Sequence, residues 1–195
     1  MADQKISAMP AASTLDGTEL APLVQGGANV RTTLTAINAL SQNRIALFRN
    51  TTYTYTAANT AEIITFDNTA IAQNITLVDN SKITFSVAGE YLLNFNFQMA
   101  NTDSQEGSCE FWVRLNGVDF PGSNTRFDVP SSHGGNPGRI VASFTLPGIA
   151  AVNDYVQLVS FTTKTEISII SVGPQVSPTR PSTPAGVVVV HQIGS

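Results

Sequence analysis

The residue types that catalysis most often uses are few and scattered in this chain of 195 residues. The two histidines are His133, in a Ser-Ser-His-Gly-Gly stretch, and His191, near the C-terminus, and neither has partners at the spacing of a metal site or a catalytic triad. Cys109 adjoins Glu110 with no histidine nearby, so it is interpreted as a structural thiol. The sequence therefore predicts no catalytic residue, no metal ligand and no cofactor.

The carboxylates in the second half of the chain occupy predicted turns and loops, without the spacing of a calcium-binding loop. They are interpreted as solvated turn residues: Asp103, Glu106, Asp119, Asp128 and Asp154. Because no carboxylate pair emerges, a glycan-cleaving enzyme is disfavoured. We expect a protein that is not an enzyme.

Composition excludes several classes of partner. The chain is 42% hydrophobic and 12% charged, with a net charge of -4, which favours a folded protein. Its ten basic residues form no run that would neutralise phosphates, so no nucleic-acid partner is expected. The longest apolar run, 186–190, is too short to cross a bilayer, so no membrane insertion is expected. The N-terminus lacks the apolar region of a secretory signal, which favours folding in the cytosol.

Two polar insertions, 101–108 and 120–138, carry the candidate ligand contacts. Both are rich in Ser, Gly, Asn, Asp and Pro, a composition typical of surface loops, where binding functions concentrate. Phe120, Phe127 and His133 lie in the second insertion and are the candidate contacts for a glycan or a protein partner. Packing of the two aromatic rings beneath the loop is the alternative.

Alternating apolar residues from 51 onward predict strands around these loops. The predicted strands are 52–56, 82–87, 91–99, 110–115, 139–146, 155–162, 166–171 and 186–193, with turn signals between them. Many short strands without helical pattern indicate an all-β, jelly-roll-like sandwich over residues 51–195. The proline-rich segment 173–184 is expected to be extended and unable to join the centre of a sheet.

Residues 32–48 show spacings near three and four and predict a short linker helix. The apolar stripe of this helix is narrow, which suits a seam between identical helices at Ile37 and Leu40. A helix lying on its own domain is the alternative. The run of valines at 187–190 indicates a strand covered on both faces, so Val188 and Val190 are also expected at a subunit interface. A central strand under a loop is the alternative there.

Residues 1–31 fit neither a helix nor a strand period. Their apolar residues are too few and too interrupted by proline and glycine to form a core. We therefore expect an extended arm that covers another surface. Its candidate docking residues are Ile6, Pro10, Leu15, Leu20, Pro22, Val24, Gln25, Gly26 and Gly27.

The words ISAMPAA, LDGTELAPLVQGG and RTTLTAI at the start of the chain resemble an arm found on many tailed-phage virion proteins, including tail fibres and head-attached fibres. The resemblance implies attachment to the particle through another phage structural protein, such as a portal, a tail adaptor or nozzle, or the capsid. It also implies a virion location after assembly in the host cytoplasm.

Residues 51–193 resemble the trimeric jelly roll of tumour-necrosis-factor and complement globular-head type, through GEYLLNF at 89–95, VRLNG at 113–117 and NDYVQL at 153–158. The resemblance implies a homotrimer whose last strand runs near the trimer axis. Together these features predict a short tail fibre, head fibre or decoration protein. A receptor-binding module that recognises host-surface carbohydrate through its long loops is the alternative.

Overall fold

The computed structural model describes residue 18 and residues 20–25, 27–33 and 43–194. Its internal contacts divide the chain into two units, Met1–Gln42 and Asn43–Ser195. In the first unit, β1 (Leu20–Gln25) and β2 (Ala28–Thr33) form an antiparallel hairpin in which Gln25 pairs with Ala28. Gly27 has a φ of 79° in the turn, a left-handed conformation that glycine adopts without a steric penalty.

The described residues of the second unit contain strands and turns but no helix. No helix that could span a membrane is found among them. The strands are β3 (Arg44–Arg49), β4 (Tyr53–Thr54), β5 (Glu62–Ile63), β6 (Asn68–Gln73), β7 (Ile75–Val78), β8 (Lys82–Phe85), β9 (Gly89–Asn101), β10 (Gly107–Leu115), β11 (Val118–Asp119), β12 (Thr125–Val129), β13 (Gly138–Ala150), β14 (Tyr155–Thr162), β15 (Ile167–Ile169), β16 (Gln175–Val176), β17 (Thr179–Arg180) and β18 (Gly186–Gly194).

Two antiparallel sheets follow from the strand pairing. Sheet I has the order β6-β3-β18-β9-β13, because Phe95 of β9 pairs with Val188 on one edge and with Phe144 on the other. Sheet II has the order β7-β8-β14-β10-β12, because Cys109 of β10 pairs with both Phe127 and Thr162. The short strands β4, β15, β5 and β11 extend these sheets at their ends.

A single hydrophobic core joins the two sheets into a β-sandwich. Alternate residues of each strand face this core, which gives β9 its pattern of buried and less buried positions. Stacked rings cross the core: Phe97 of sheet I and Phe111 of sheet II lie 5.0 Å apart, centroid to centroid. The buried residues include Ile45, Leu47, Leu93, Phe95, Phe97, Val188 and Val190 from sheet I, and Ile83, Phe85, Phe111, Val113 and Leu158 from sheet II.

The structure confirms the all-β class, and strands form in all eight predicted segments. The proline-rich segment forms the small β16-β17 hairpin, which joins neither sheet, and an isolated bridge between Thr183 and Val172. The predicted loop 120–138 contains β12, which pairs with β10. Its Phe127 and Val129 alternate inward like the residues of any half-buried strand.

The helix predicted over 32–48 is wrong at both of its described ends. Thr32 and Thr33 belong to β2, and residues 44–48 belong to β3. Ile45 and Leu47 are both fully buried, and two-residue spacing places them on the same face of a strand. The sandwich therefore includes residues before the predicted boundary at 51. Residues 34–42, including Ile37 and Leu40, lie outside the described residues.

Candidate binding surfaces

The three residues of the predicted ligand loop do not form one site. Phe120 is 43% exposed and lines a cavity on sheet II. Phe127 is only half buried, but its ring lies 6.2 Å from Phe111 and 6.3 Å from Phe144, at the edge between the sheets. Phe127 therefore follows the alternative of packing against the core, and its role as a ligand contact stays a prediction.

His133 lies exposed in a tight turn that is separate from the Phe120 cavity. Its backbone N–H donates to the Asn136 carbonyl at 2.9 Å, and the Asn136 N–H donates back at 3.0 Å. Gly134 and Gly135 have φ of 56° and 79°, as the two central residues of this kind of hairpin turn require. The loop is thus an ordered turn.

Val188 and Val190, predicted at a subunit interface, have no exposed surface in the single chain. Both side chains belong to the core between the sheets. The prediction is corrected for these two residues, since the core of their own chain already covers them. The other face of β18 carries Val187, which is half buried, and Val189, which is exposed.

The outer face of sheet I carries a set of exposed aliphatic side chains. In register across the sheet, Ile71 of β6 pairs with Ala46 of β3, which in turn pairs with Val189. Small aliphatic residues therefore form a continuous stripe across three strands, with no charged side chain in that row. The exposed aliphatic residues on this sheet are Ile71, Val141, Ile149, Val189 and Ile193, each between 36% and 75% exposed.

The outer face of sheet II has a different character, because side chains there line an open cavity of about 360 Å³. Two strands supply its floor, where Glu110 of β10 pairs with Phe161 of β14. Trp112 lies two residues along β10 on the same face. The wall is the turn after β11. The lining residues are Glu110, Trp112, Asp119, Phe120, Pro121, Gly122, Asn124 and Phe161.

The wall of this cavity, residues 119–124, is anchored to β10 by backbone and side-chain hydrogen bonds. The Phe120 N–H donates to the Val113 carbonyl at 2.9 Å. Ser123 is fully buried, and its hydroxyl donates to the Phe120 carbonyl at 2.7 Å and accepts from the Val113 N–H at 3.0 Å. The position of the Phe120 backbone is therefore set by the sheet.

Hydrogen bonds also fix the polar groups of the cavity. The Trp112 indole N–H donates to Asp119 Oδ1 at 2.9 Å, and Arg114 Nε donates to the same oxygen at 2.8 Å. These two donors lower the pKa of Asp119, with the indole contributing most. Across the cavity, Asn124 Nδ2 donates to Glu110 Oε2 at 2.6 Å. Asp119 therefore stays ionised well into the acid range.

Other titratable groups serve the framework. Cys109 is fully buried, and burial raises the pKa of its thiol to about 12, so it is a poor nucleophile. Asp103 accepts from Lys164 Nζ at 2.7 Å, and Asp154 accepts from the Ala151 N–H at 2.7 Å. No group of three or more His, Cys, Asp or Glu residues within the described ranges could hold a metal ion.

The described docking candidates lie in the β1-β2 hairpin. Leu20 is 57% exposed, and Pro22 is also exposed. Val24 and Gln25 lie in β1, and Gly27 lies in the turn. Ile6, Pro10, Leu15 and Gly26 are outside the described residues. Their docking role stays a prediction.

Comparison with known proteins identifies no relative. No family model matches the sequence, and no curated protein matches it at a significant level. Any functional assignment therefore rests on the surfaces of the sandwich and on the sequence resemblances described above.

Proposed function

We propose that this chain is a non-enzymatic structural protein of a tailed-phage particle, and that it acts as a homotrimer. In this proposal it is a short tail fibre, head fibre or decoration protein. Its N-terminal arm, residues 1–31, docks onto another phage structural protein such as a portal, a tail adaptor or nozzle, or the capsid. The sandwich forms the trimeric head, and the protein reaches the virion during assembly in the host cytoplasm.

The strand order supports a jelly-roll assignment for the head. The first strand of the second unit, β3, pairs with the last, β18, and β8 pairs with β14. Nested inside these, β9 pairs with β13 and β10 pairs with β12. This nested pairing of early with late strands, divided between two sheets, is the arrangement that a jelly roll requires.

The single observation that carries the proposal is the aliphatic outer face of sheet I. Water would cover the stripe of Ile71, Ala46 and Val189 in a monomer, and contiguous exposed apolar surface usually marks an interaction site. A closed ring of identical copies buries the same patch on each chain. Most other outward residues of β9, such as Asn94 and Asn96, are uncharged and polar, which suits the periphery of such an interface.

Trimerisation also supports attachment by a short arm. An arm that orders on a partner loses conformational entropy, so one copy alone binds weakly. Three arms on one trimer raise the effective concentration at the second and third docking sites. The exposed Leu20 and Pro22 of the β1-β2 hairpin are apolar groups that a docking partner would cover.

The test is incorporation of full-length variants into particles of the phage that encodes the chain. Leu20→Asp places a charge on the proposed docking surface, while Val118→Asp places one at an exposed position of β11 in the sandwich. We expect the first variant to be lost from purified particles and the second to be incorporated like the wild type, as measured by quantitative mass spectrometry. Normal incorporation of a triple variant, in which Ile6, Leu15 and Leu20 are all replaced by Asp, would overturn the docking role.

A further inference from the structure

We propose that the cavity on the outer face of sheet II binds an uncharged pyranose sugar, with Trp112, Phe120 and Phe161 contacting the ring. This inference goes beyond the structural role above, since attachment and trimerisation use other parts of the chain. It also differs from the predicted ligand loop, because neither Phe127 nor His133 lines the cavity.

The size of the cavity favours a small ring as its occupant. Its volume of about 360 Å³ lies near the lower end of the range for small-molecule sites. The turn carrying Phe120, Pro121 and Gly122 forms one wall of the cavity, which favours a compact ligand over an extended peptide. A single sugar residue at the end of a glycan chain, or projecting from it, matches this shape.

The three aromatic rings have no other ring to contact. Within the described residues, ring–ring pairs involve other Phe and Tyr side chains, and none includes Trp112, Phe120 or Phe161. Free aromatic surface in a cavity is available to the apolar C–H faces of a pyranose. Phe120 is moreover 43% exposed, although its own backbone is firmly anchored.

The polar groups around the rings match the hydroxyl rim of a sugar. Glu110 and Asp119 provide carboxylate oxygens; Glu110 already accepts from one donor and Asp119 from two, and these bonds fix their orientation. Their remaining lone pairs can accept from sugar hydroxyls, and hydrogen bonds to an ionised acceptor are the stronger kind. Two carboxylates repel an acidic sugar, so the proposal is restricted to uncharged ones.

The preorganisation of the cavity adds to the argument. Ser123 and Val113 hold the wall, and Asp119 fixes the indole of Trp112, so little conformational entropy remains to be lost on binding. The cavity lies on the sheet opposite to the proposed trimer face. A trimer would therefore display three such sites and bind a multivalent cell surface with avidity.

Asp119 is a poor candidate for the protonated carboxylic acid that glycoside hydrolysis requires, because Trp112 and Arg114 donate to its carboxylate and lower its pKa.

Trp112 is the only tryptophan of the chain, so its fluorescence reports on this cavity alone. The full-length protein is titrated with glucose, galactose, mannose and N-acetylglucosamine, and with glucuronate as the acidic counterpart. We expect a saturable fluorescence change with at least one of the four neutral sugars and none with glucuronate. Phe120→Ala should weaken that binding about tenfold, which is the scale of one aromatic contact. Val118→Ala, outside the cavity, should leave it unchanged.

Two results would overturn the proposal: no saturable response to any neutral sugar, or unchanged affinity in both Phe120→Ala and Phe161→Leu. Phe120 is exposed, so its truncation is expected to leave the fold intact, and the unfolding midpoint of each variant verifies this. The trimer mass and particle incorporation are measured separately. Failure of sugar binding is thereby distinguished from failure of the structural role.

Discussion

The two outer faces of the sandwich differ although both are built by the same alternation of residues along antiparallel strands. On sheet I the outward positions near β18 are short aliphatic residues such as Ala46 and Val189. On sheet II the outward positions of β10 are Glu110, Trp112 and Arg114, which are long and carry polar groups. The outer face of sheet I is an aliphatic surface, whereas the outer face of sheet II lines a cavity.

Hydrogen bonding explains why these faces suit different partners. Aliphatic side chains have no donors or acceptors to satisfy, so burying them against another copy costs no polar desolvation. Trp112, Arg114 and Asp119 instead satisfy one another and hold a fixed shape. The types of the outward-facing residues, rather than the strand pattern, therefore distinguish the proposed assembly surface from the proposed ligand site.

The largest effect is expected from breaking the core that supports both faces. Phe111 stacks on Phe97 and also contacts the rings of Phe127 and Phe144. Phe111→Ala should lower the free energy of unfolding by about 3–5 kcal/mol, through lost burial and the cavity left behind. Urea denaturation followed by circular dichroism measures this change. A loss below about 1 kcal/mol would mean that the stacked rings do not tie the sheets together.

A charge on sheet I should have the next largest effect. Val189→Asp places three carboxylates in the proposed interface, so association should weaken by at least about 100-fold while the monomer stays folded. Sedimentation velocity measures the mass of the assembly. Val118→Asp is the matched control, because Val118 is 71% exposed and belongs to sheet II. An unchanged mass for Val189→Asp would exclude this face as the interface.

A smaller effect is expected from a polar contact inside the sandwich. The Tyr55 and Ser160 hydroxyls lie 2.5 Å apart and are buried. Tyr55→Phe leaves Ser160 without this partner and should cost about 1–3 kcal/mol of unfolding free energy. The double variant Tyr55→Phe/Ser160→Ala should recover part of the loss, since it removes both polar groups. No recovery would show that Tyr55 acts through packing instead.

The smallest expected effect is a change of the Trp112 fluorescence at acid pH, caused by protonation of Asp119 on sheet II. Because the folded-state pKa of Asp119 is lowered, its charge-assisted hydrogen bond with Trp112 is present at neutral pH and weakens as the pH falls through that lowered pKa. The Trp112 fluorescence should therefore change with a midpoint below 3.8, the usual aspartate value. The Asp119→Asn variant should lack the transition. A midpoint above 3.8 in the wild type would contradict the paired geometry.

The sequence predicts the strands well, but it does not predict what lies on each outer face. Every position in the run of valines at 187–190 is apolar, so the sequence shows no alternation there. It therefore does not indicate that Val188 and Val190 are the residues that face the core. For β3, apolar residues at 45, 47 and 48 fit a helical spacing as well as a strand. Only the pairing of β3 with β18 on one edge and with β6 on the other selects the strand.

The sequence does not predict the cavity on sheet II, for a related reason. Trp112 and Phe161 are far apart in sequence, and the register of β10 against β14 places their strands side by side. Only Phe120 was identified in advance, from its position in a polar insertion. The available signal was local: Trp112 alternates with the core residues Phe111 and Val113, which implies an aromatic ring on the outer face.

The most direct test of the assembly role of sheet I is the native mass of the full-length wild-type chain at micromolar concentration. This role predicts three times the chain mass of 20.7 kDa for the wild type and the mass of one chain for Val189→Asp. A wild-type protein that remains at 20.7 kDa under these conditions would contradict it.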